Sequence, residues 1–348
     1  MMARLLLSAL AMLAFVLPSE SFLQQAPVAG YHLTLRNRVL LMNRNTDESS
    51  RHRGNRKWRR PNHRGKKPHR RRTARDVLDL ARLDDSTAHL LRQEPSELDP
   101  SQITTLIQQW SHYRKIDERV PRRIEDLVKI LVSIQNGEGC QETGNILSIK
   151  TYNALLNAWA CAALFRTGGD RVAAAQRATV LLRMMQERYD EAVRLGQPNG
   201  LIQPDRWSFA TVLHVVCRVE GSVTARRLLA WMEMLHDSGR NTQARPSKND
   251  YMQVLDSYLN YKGSRRAILI EGFISHLGHR SVQDPILVLP DTLSYNIAIK
   301  AWCDERKKGL PGRQVAEHAD RILELMKNDA KGLCRPDVVT YSSKCMME

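Results

Sequence analysis

Apolar side chains return at fixed offsets along most of this chain. Ala178, Leu181, Leu182 and Met185 stand at offsets of zero, three, four and seven. Ala225, Leu228, Leu229 and Met232 repeat those offsets, and Ala319, Ile322, Leu323 and Met326 repeat them again. Residues so spaced share one face of an α-helix, so each stretch predicts an amphipathic helix. A further copy, Ala267, Ile270 and Ile274, is interrupted by the charge of Glu271. A second apolar element precedes each of these. Thr151-Tyr152-Asn153-Ala154-Leu155-Leu156-Asn157-Ala158-Trp159 and Ser294-Tyr295-Asn296-Ile297-Ala298-Ile299-Lys300-Ala301-Trp302 share Tyr-Asn and a later Ala-Trp. Ser208-Phe209 and Asp250-Tyr251 start weaker copies, Ile103 replaces the aromatic in an upstream one, and Thr340-Tyr341 starts the copy in which the sequence ends.

The unit is therefore two amphipathic helices in succession. Neither can bury its stripe alone, and stacking against neighbouring units completes the core. The predicted fold class is all-α, a solenoid of helix-turn-helix repeats. Pro204-Asp205, Pro290-Asp291 and Pro336-Asp337 stand just ahead of the next aromatic start, with Pro246-Ser247 in the same place once. Proline ends a second helix and its successor leads into the next first helix. Successive starts lie 49, 57, 42, 44 and 46 residues apart. Part of the excess in the longer units is expected in loops, including Thr167–Asp170 and Lys307–Gly312.

Tyr-Asn at the first helix, Ala-xx-Leu-Leu-xx-Met in the second and Pro-Asp at the junction together resemble the pentatricopeptide repeat family. The Pro-Asp-Val-Val-Thr-Tyr of residues 336–341 is close to that family's signature. The resemblance covers roughly residues 98–348, as about four repeats plus a truncated fifth, and departs from the family in its longer units. It implies a right-handed α-solenoid whose first helices line a groove for single-stranded RNA, one base per repeat. It also implies that bases are read by the residue after each start aromatic together with the residue after the junction proline. Here those pairs are Asn153 with Asp205, Ala210 with Ser247, Met252 with Asp291, and Asn296 with Asp337. The Asn/Asp pairs resemble the family's uracil-preferring combination, while Ala210 and Met252 lack the hydrogen-bonding groups to specify a base. Thr104 adds a contact in the weak first copy. The residue two before each aromatic is implied to stack between bases or meet the backbone: Lys150, Trp207, Leu293 and Val339, with Asn249 in the remaining copy.

Charge changes the picture only locally. Of the net +16, +13 sits in residues 51–75, which hold 13 Lys/Arg and no acid, and +1 in the first fifty residues. The remaining 273 residues carry only +2. Residues 51–75 read as a disordered basic linker, either a phosphate-binding arm or a solvated extension, with residues 76–97 a helical lead-in to the repeats. Ahead of it, Arg4 and the apolar run Leu5–Leu17 have the form of a signal peptide over residues 1–21. Residues 22–50 are Arg-containing and, up to Thr46, free of acid, as in a transit peptide. A signal peptide, a Phe and a transit-like stretch resemble the bipartite plastid presequence of algae and stramenopiles; a mitochondrial presequence is the second reading.

No Cys-x-x-Cys, His-x-Glu or Walker-type glycine loop occurs, so no enzyme activity, cofactor or metal is expected. Trp159 and Trp302 are expected in packing between repeats, and Cys161, Cys217 and Cys303 as reduced, inert residues. Two functions stand. One is selective binding of U-containing single-stranded organellar RNA in processing, stability, editing or translation, alone or with RNA-processing or ribosomal proteins. The other is a non-catalytic scaffold for protein assembly in an organellar ribonucleoprotein. No membrane association is expected of the mature form.

Overall fold

The computed structural model describes residues 38–39, 73–94, 97–135, 147–165, 170–196, 202–263, 265–284, 289–327 and 334–345. The expected signal peptide lies outside these residues, as does nearly all of the transit-like segment and the basic linker. Among the described residues the chain forms twelve α-helices. The first, α1 (Ala74–Leu90), begins two residues inside the expected linker. Thr73 starts it there: its hydroxyl accepts the Asp76 N–H at 3.1 Å, and the Asp76 carboxylate accepts the Thr73 N–H at 2.8 Å. This reciprocal cap satisfies two otherwise orphaned backbone donors.

Five helix pairs and a further first helix follow. They are α2 (Pro100–His112) with α3 (Val120–Gln135), α4 (Ile149–Phe165) with α5 (Asp170–Arg194), and α6 (Arg206–Val219) with α7 (Ser222–Asp237). Then come α8 (Lys248–Leu259) with α9 (Arg266–Gln283), α10 (Thr292–Lys307) with α11 (Gly312–Lys327), and α12 (Val338–Cys345). Each first helix packs on its own second helix and on the next first helix. Each second helix from α3 to α9 also packs on the following first helix. Helix contacts of any extent stay within a pair or between neighbouring pairs, which makes this an α-solenoid with an inner layer of first helices and an outer layer of second helices.

The start residues Ile103, Tyr152, Phe209, Tyr251 and Tyr295 are all buried, and so are the four-residue stripes of α5, α7 and α11. A small-residue seam of Ala160, Ala162, Ala163, Ala174, Ala175 and Val215 lets α4, α5 and α6 approach closely. The long units spend part of their extra length in α5, which runs for 25 residues. The Lys307–Gly312 loop turns through Gly309 at φ 104°, a left-handed conformation open to glycine at little cost. Beside the helices, Arg38–Val39 pairs in parallel with Leu289–Pro290, a two-residue ladder just ahead of α10.

Candidate nucleic-acid interface

The junction residues are helix caps. Asp205, Ser247 and Asp291 are the N-caps of α6, α8 and α10, each accepting a backbone N–H from the first turn. Asp337 does the same ahead of α12, accepting the Thr340 N–H at 2.8 Å. Short polar side chains suit this position because they satisfy donors that the helix itself cannot.

Two of these caps also reach back to the preceding first helix. Asn153 Nδ2 donates to both carboxylate oxygens of Asp205, at 3.2 and 3.1 Å. Asn296 Nδ2 donates to Asp337 Oδ1 at 3.2 Å. The sequence pairs Asn153 with Asp205 and Asn296 with Asp337, and both pairs are in contact. A third member joins each. Ser208 Oγ donates to Asn153 Oδ1 at 2.7 Å, and Thr340 Oγ1 donates to Asn296 Oδ1 at 2.7 Å. Sequence reasoning missed these two hydroxyls. The signal was present, because a short polar residue precedes every start aromatic from Thr151 to Thr340. Burial pushes the Asp337 carboxyl up, but bonds from the Thr340 backbone N–H and the Asn296 amide outweigh it and hold the carboxyl below its ordinary value.

The other two pairs make no bridge of this kind. Ala210 has no polar side-chain atom. Met252 is buried, and the Ser294 hydroxyl points at its Sδ across 3.9 Å. Asp291 therefore lacks the amide that Asp205 and Asp337 receive, and among the described residues its buried Oδ2 has no hydrogen-bond partner. Burial raises its carboxyl to about 6, against the backbone N–H groups of Ser294 and Leu293 and the charge of Lys248.

Accessibility divides the predicted residues further. Asn153 is half-buried, whereas Asn296 is only 9% exposed. Lys150, Trp207, Asn249, Leu293 and Val339 are all exposed on the first turns of their helices. Trp207 stands out at 76% exposure, so it is not packed against the neighbouring repeat. Thr104 is half-buried, and its hydroxyl bonds its own helix at Pro100.

A different set of charges joins outer and inner layers. Trp159 Nε1 donates to Glu125 Oε2 at 3.0 Å, and Arg177 pairs with the same carboxylate. Trp302 Nε1 donates to Glu271 Oε2 at 3.2 Å, while His318 bonds that carboxylate and stacks on the indole at 3.7 Å. The interruption of the apolar stripe by Glu271 is thus an acceptor for the next repeat's tryptophan. Glu233 plays a related part. Burial raises its carboxyl, but His276, Arg226 and Arg280 hold it below its ordinary value. The cysteines Cys161, Cys217 and Cys303 are free thiols, all raised by burial, Cys217 to about 12. Among the described residues no group of three or more His, Cys, Asp or Glu has a metal-binding arrangement, and no helix is long and apolar enough to cross a membrane.

No family model and no curated protein matches the chain. Among solved structures it is similar to the pentatricopeptide repeat protein PPR10 in complex with an 18-nucleotide psaJ RNA element, at 16% identity and a TM-score of 0.20, covering 78% of this chain and 48% of that one. A cysteine-to-serine variant of PPR10 with the same RNA element gives 15% identity and a TM-score of 0.20 over the same shares. The chain spans about half the length of the structures it matches.

Proposed function

We propose that this chain binds single-stranded RNA along its layer of first helices, with Asn153 and Asn296 reading uracil and Asp205 and Asp337 supporting them. The observation that carries the reading is the repeated bridge, in which the same amide meets the same carboxylate at two junctions. An amide held from one side keeps an N–H and a carbonyl lone pair for a base edge. Exposed Trp207, Leu293 and Val339 supply surfaces on which bases stack, and Lys150 supplies charge for a phosphate. The presequence pattern supports action in a plastid, with the mitochondrion as the alternative, in transcript processing, stability, editing or translation.

The test is binding of fluorescent oligonucleotides to the full chain. U-containing RNA binds more tightly than A-rich RNA, and replacing both Asn153 and Asn296 with Ala removes most of that preference. The single Asn153→Ala change has the larger effect, because Asn153 is the more accessible amide; loss of one such contact is worth about fivefold. Equal binding of both RNAs by wild type and variant refutes base reading. The second reading, a protein-binding scaffold, is favoured by the Ala210 and Met252 junctions, which offer a base no hydrogen bond. It predicts no RNA binding beyond that of the basic segment 51–75.

A further inference from the structure

In both bridged junctions a hydroxyl closes a ring between amide and carboxylate. Ser208 Oγ lies 2.7 Å from Asn153 Oδ1 and 2.9 Å from Asp205 Oδ1. Thr340 Oγ1 lies 2.7 Å from Asn296 Oδ1 and 2.8 Å from Asp337 Oδ1. A hydroxyl has a single proton to donate. The carboxylate, an acceptor only, draws the amide N–H to itself, which leaves the amide oxygen facing the hydroxyl. The proton then belongs between hydroxyl and amide oxygen, and both neighbours favour the same amide orientation.

That orientation carries chemical information. Turning an asparagine amide by half a rotation exchanges oxygen and NH2 with almost no change of shape. Uracil and cytosine also share a shape and differ by the same exchange: uracil accepts at O4 and donates at N3, while cytosine donates at N4 and accepts at N3. An amide free to turn serves both bases equally, and a held amide serves one. We propose that Ser208 and Thr340 are positioning residues that make the two Asn/Asp repeats prefer uracil over cytosine, an inference that rests on the RNA-reading function above. The third junction supplies a comparison within the chain. Ser294 occupies the same place there, but it meets Met252 Sδ, so it has no amide to orient.

The experiment compares binding of oligo-U, oligo-C and oligo-A of equal length to the full chain. The Ser208→Ala/Thr340→Val variant is expected to lose about fivefold in its U-to-C affinity ratio while its U-to-A ratio holds, the size of one neutral hydrogen bond. The Ser208→Thr/Thr340→Ser variant, which exchanges the two hydroxyls, is expected to keep both ratios. An unchanged U-to-C ratio in the first variant overturns the proposal, as does its loss in the second. Wild type that binds oligo-U and oligo-A alike defeats the underlying RNA reading instead, a distinct result. If the first variant loses its cooperative helical melt, Ser208→Cys and Thr340→Val are measured singly. A fallen U-to-C ratio in those supports the positioning role, and a retained one overturns it.

Discussion

Asp291 occupies a cap position equivalent to Asp205 and Asp337 but faces methionine instead of asparagine, and replacing it with Asn isolates what the missing bridge does. Its Oδ1 accepts the Leu293 and Ser294 N–H groups at 3.0 and 3.2 Å, while the buried Oδ2 has no partner among the described residues. Burial raises this carboxyl to about 6 from an ordinary 3.8. A folded-state value above the unfolded one means stability that is present at low pH and lost as pH rises through the folded value. A shift of about two units corresponds to about 3 kcal/mol, and partial solvation of this residue reduces that to about 1–2 kcal/mol. Asparagine has the same shape, carries no charge and is as good a cap as aspartate. Asp291→Asn is therefore expected to stabilise the protein by about 1 kcal/mol near pH 7.5, and this gain shrinks as pH falls and is lost near about pH 3, below the ordinary carboxyl value. Urea denaturation of variant and wild type at each pH measures the difference, and every other titrating group cancels. Equal gains at both pH values, or no gain at the higher one, refute the reasoning. Asp337→Asn provides the opposite sign. Its carboxyl is held below the ordinary value, so the wild-type advantage is present at neutral pH and fades as pH falls through the folded value.

Met252→Asn places an amide opposite Asp291 with Ser294 already in position, so the Asp291 carboxyl should fall back toward its ordinary value in a carbon-detected NMR titration; a value still near 6 would mean that no bridge forms. Trp207→Ala should weaken binding of single-stranded RNA by about tenfold through lost stacking. The same change should leave the melting temperature unaltered, since the indole is 76% exposed. Glu125→Ala removes a buried acceptor shared by the Trp159 indole and Arg177, and is expected to destabilise the protein by about 3 kcal/mol. Glu125→Gln keeps an acceptor for the indole and should cost less in the same denaturation experiment.

The helix pairs were legible because amphipathic stripes with a period of 3.6 residues fix which face is buried whatever the neighbours are. Tyr152, Phe209, Tyr251 and Tyr295 carry that signal, and all are buried. The start of α1 was less legible. Its lead-in is dominated by Arg and Lys, and the Thr73–Asp76 cap that sets it is only two residues of pattern. The bridging pairs were legible only through the resemblance, since Asn153 and Asp205 lie 52 residues apart and nothing local joins them. Ser208 and Thr340 escaped notice because a hydroxyl at that place has a sufficient local explanation as a helix cap. Glu271 looked like a defect for a related reason. A stripe records what a helix needs for burial, and the indole that Glu271 receives comes from the next repeat, which no single-helix pattern contains.

The order of junctions along the solenoid makes a sharper statement than the presence of two readers. Asn153 and Asn296 belong to the second and fifth helix pairs, and the two pairs between them carry Ala210 and Met252. With one base per repeat, the two amides meet bases separated by two unspecified positions. Among the described residues, helix contacts of any extent run only within a pair or between neighbouring pairs, so this packing does not bring the second and fifth pairs closer together. An A-rich oligonucleotide with two uracils placed U-A-A-U is therefore expected to bind more tightly than one of identical composition with adjacent uracils, by about fivefold if a single contact is recovered. Competition binding of the two oligonucleotides against the full chain decides the matter. Indifference to spacing, combined with a preference for uracil, would mean that the longer units break the register and that each asparagine reads its base independently of the other.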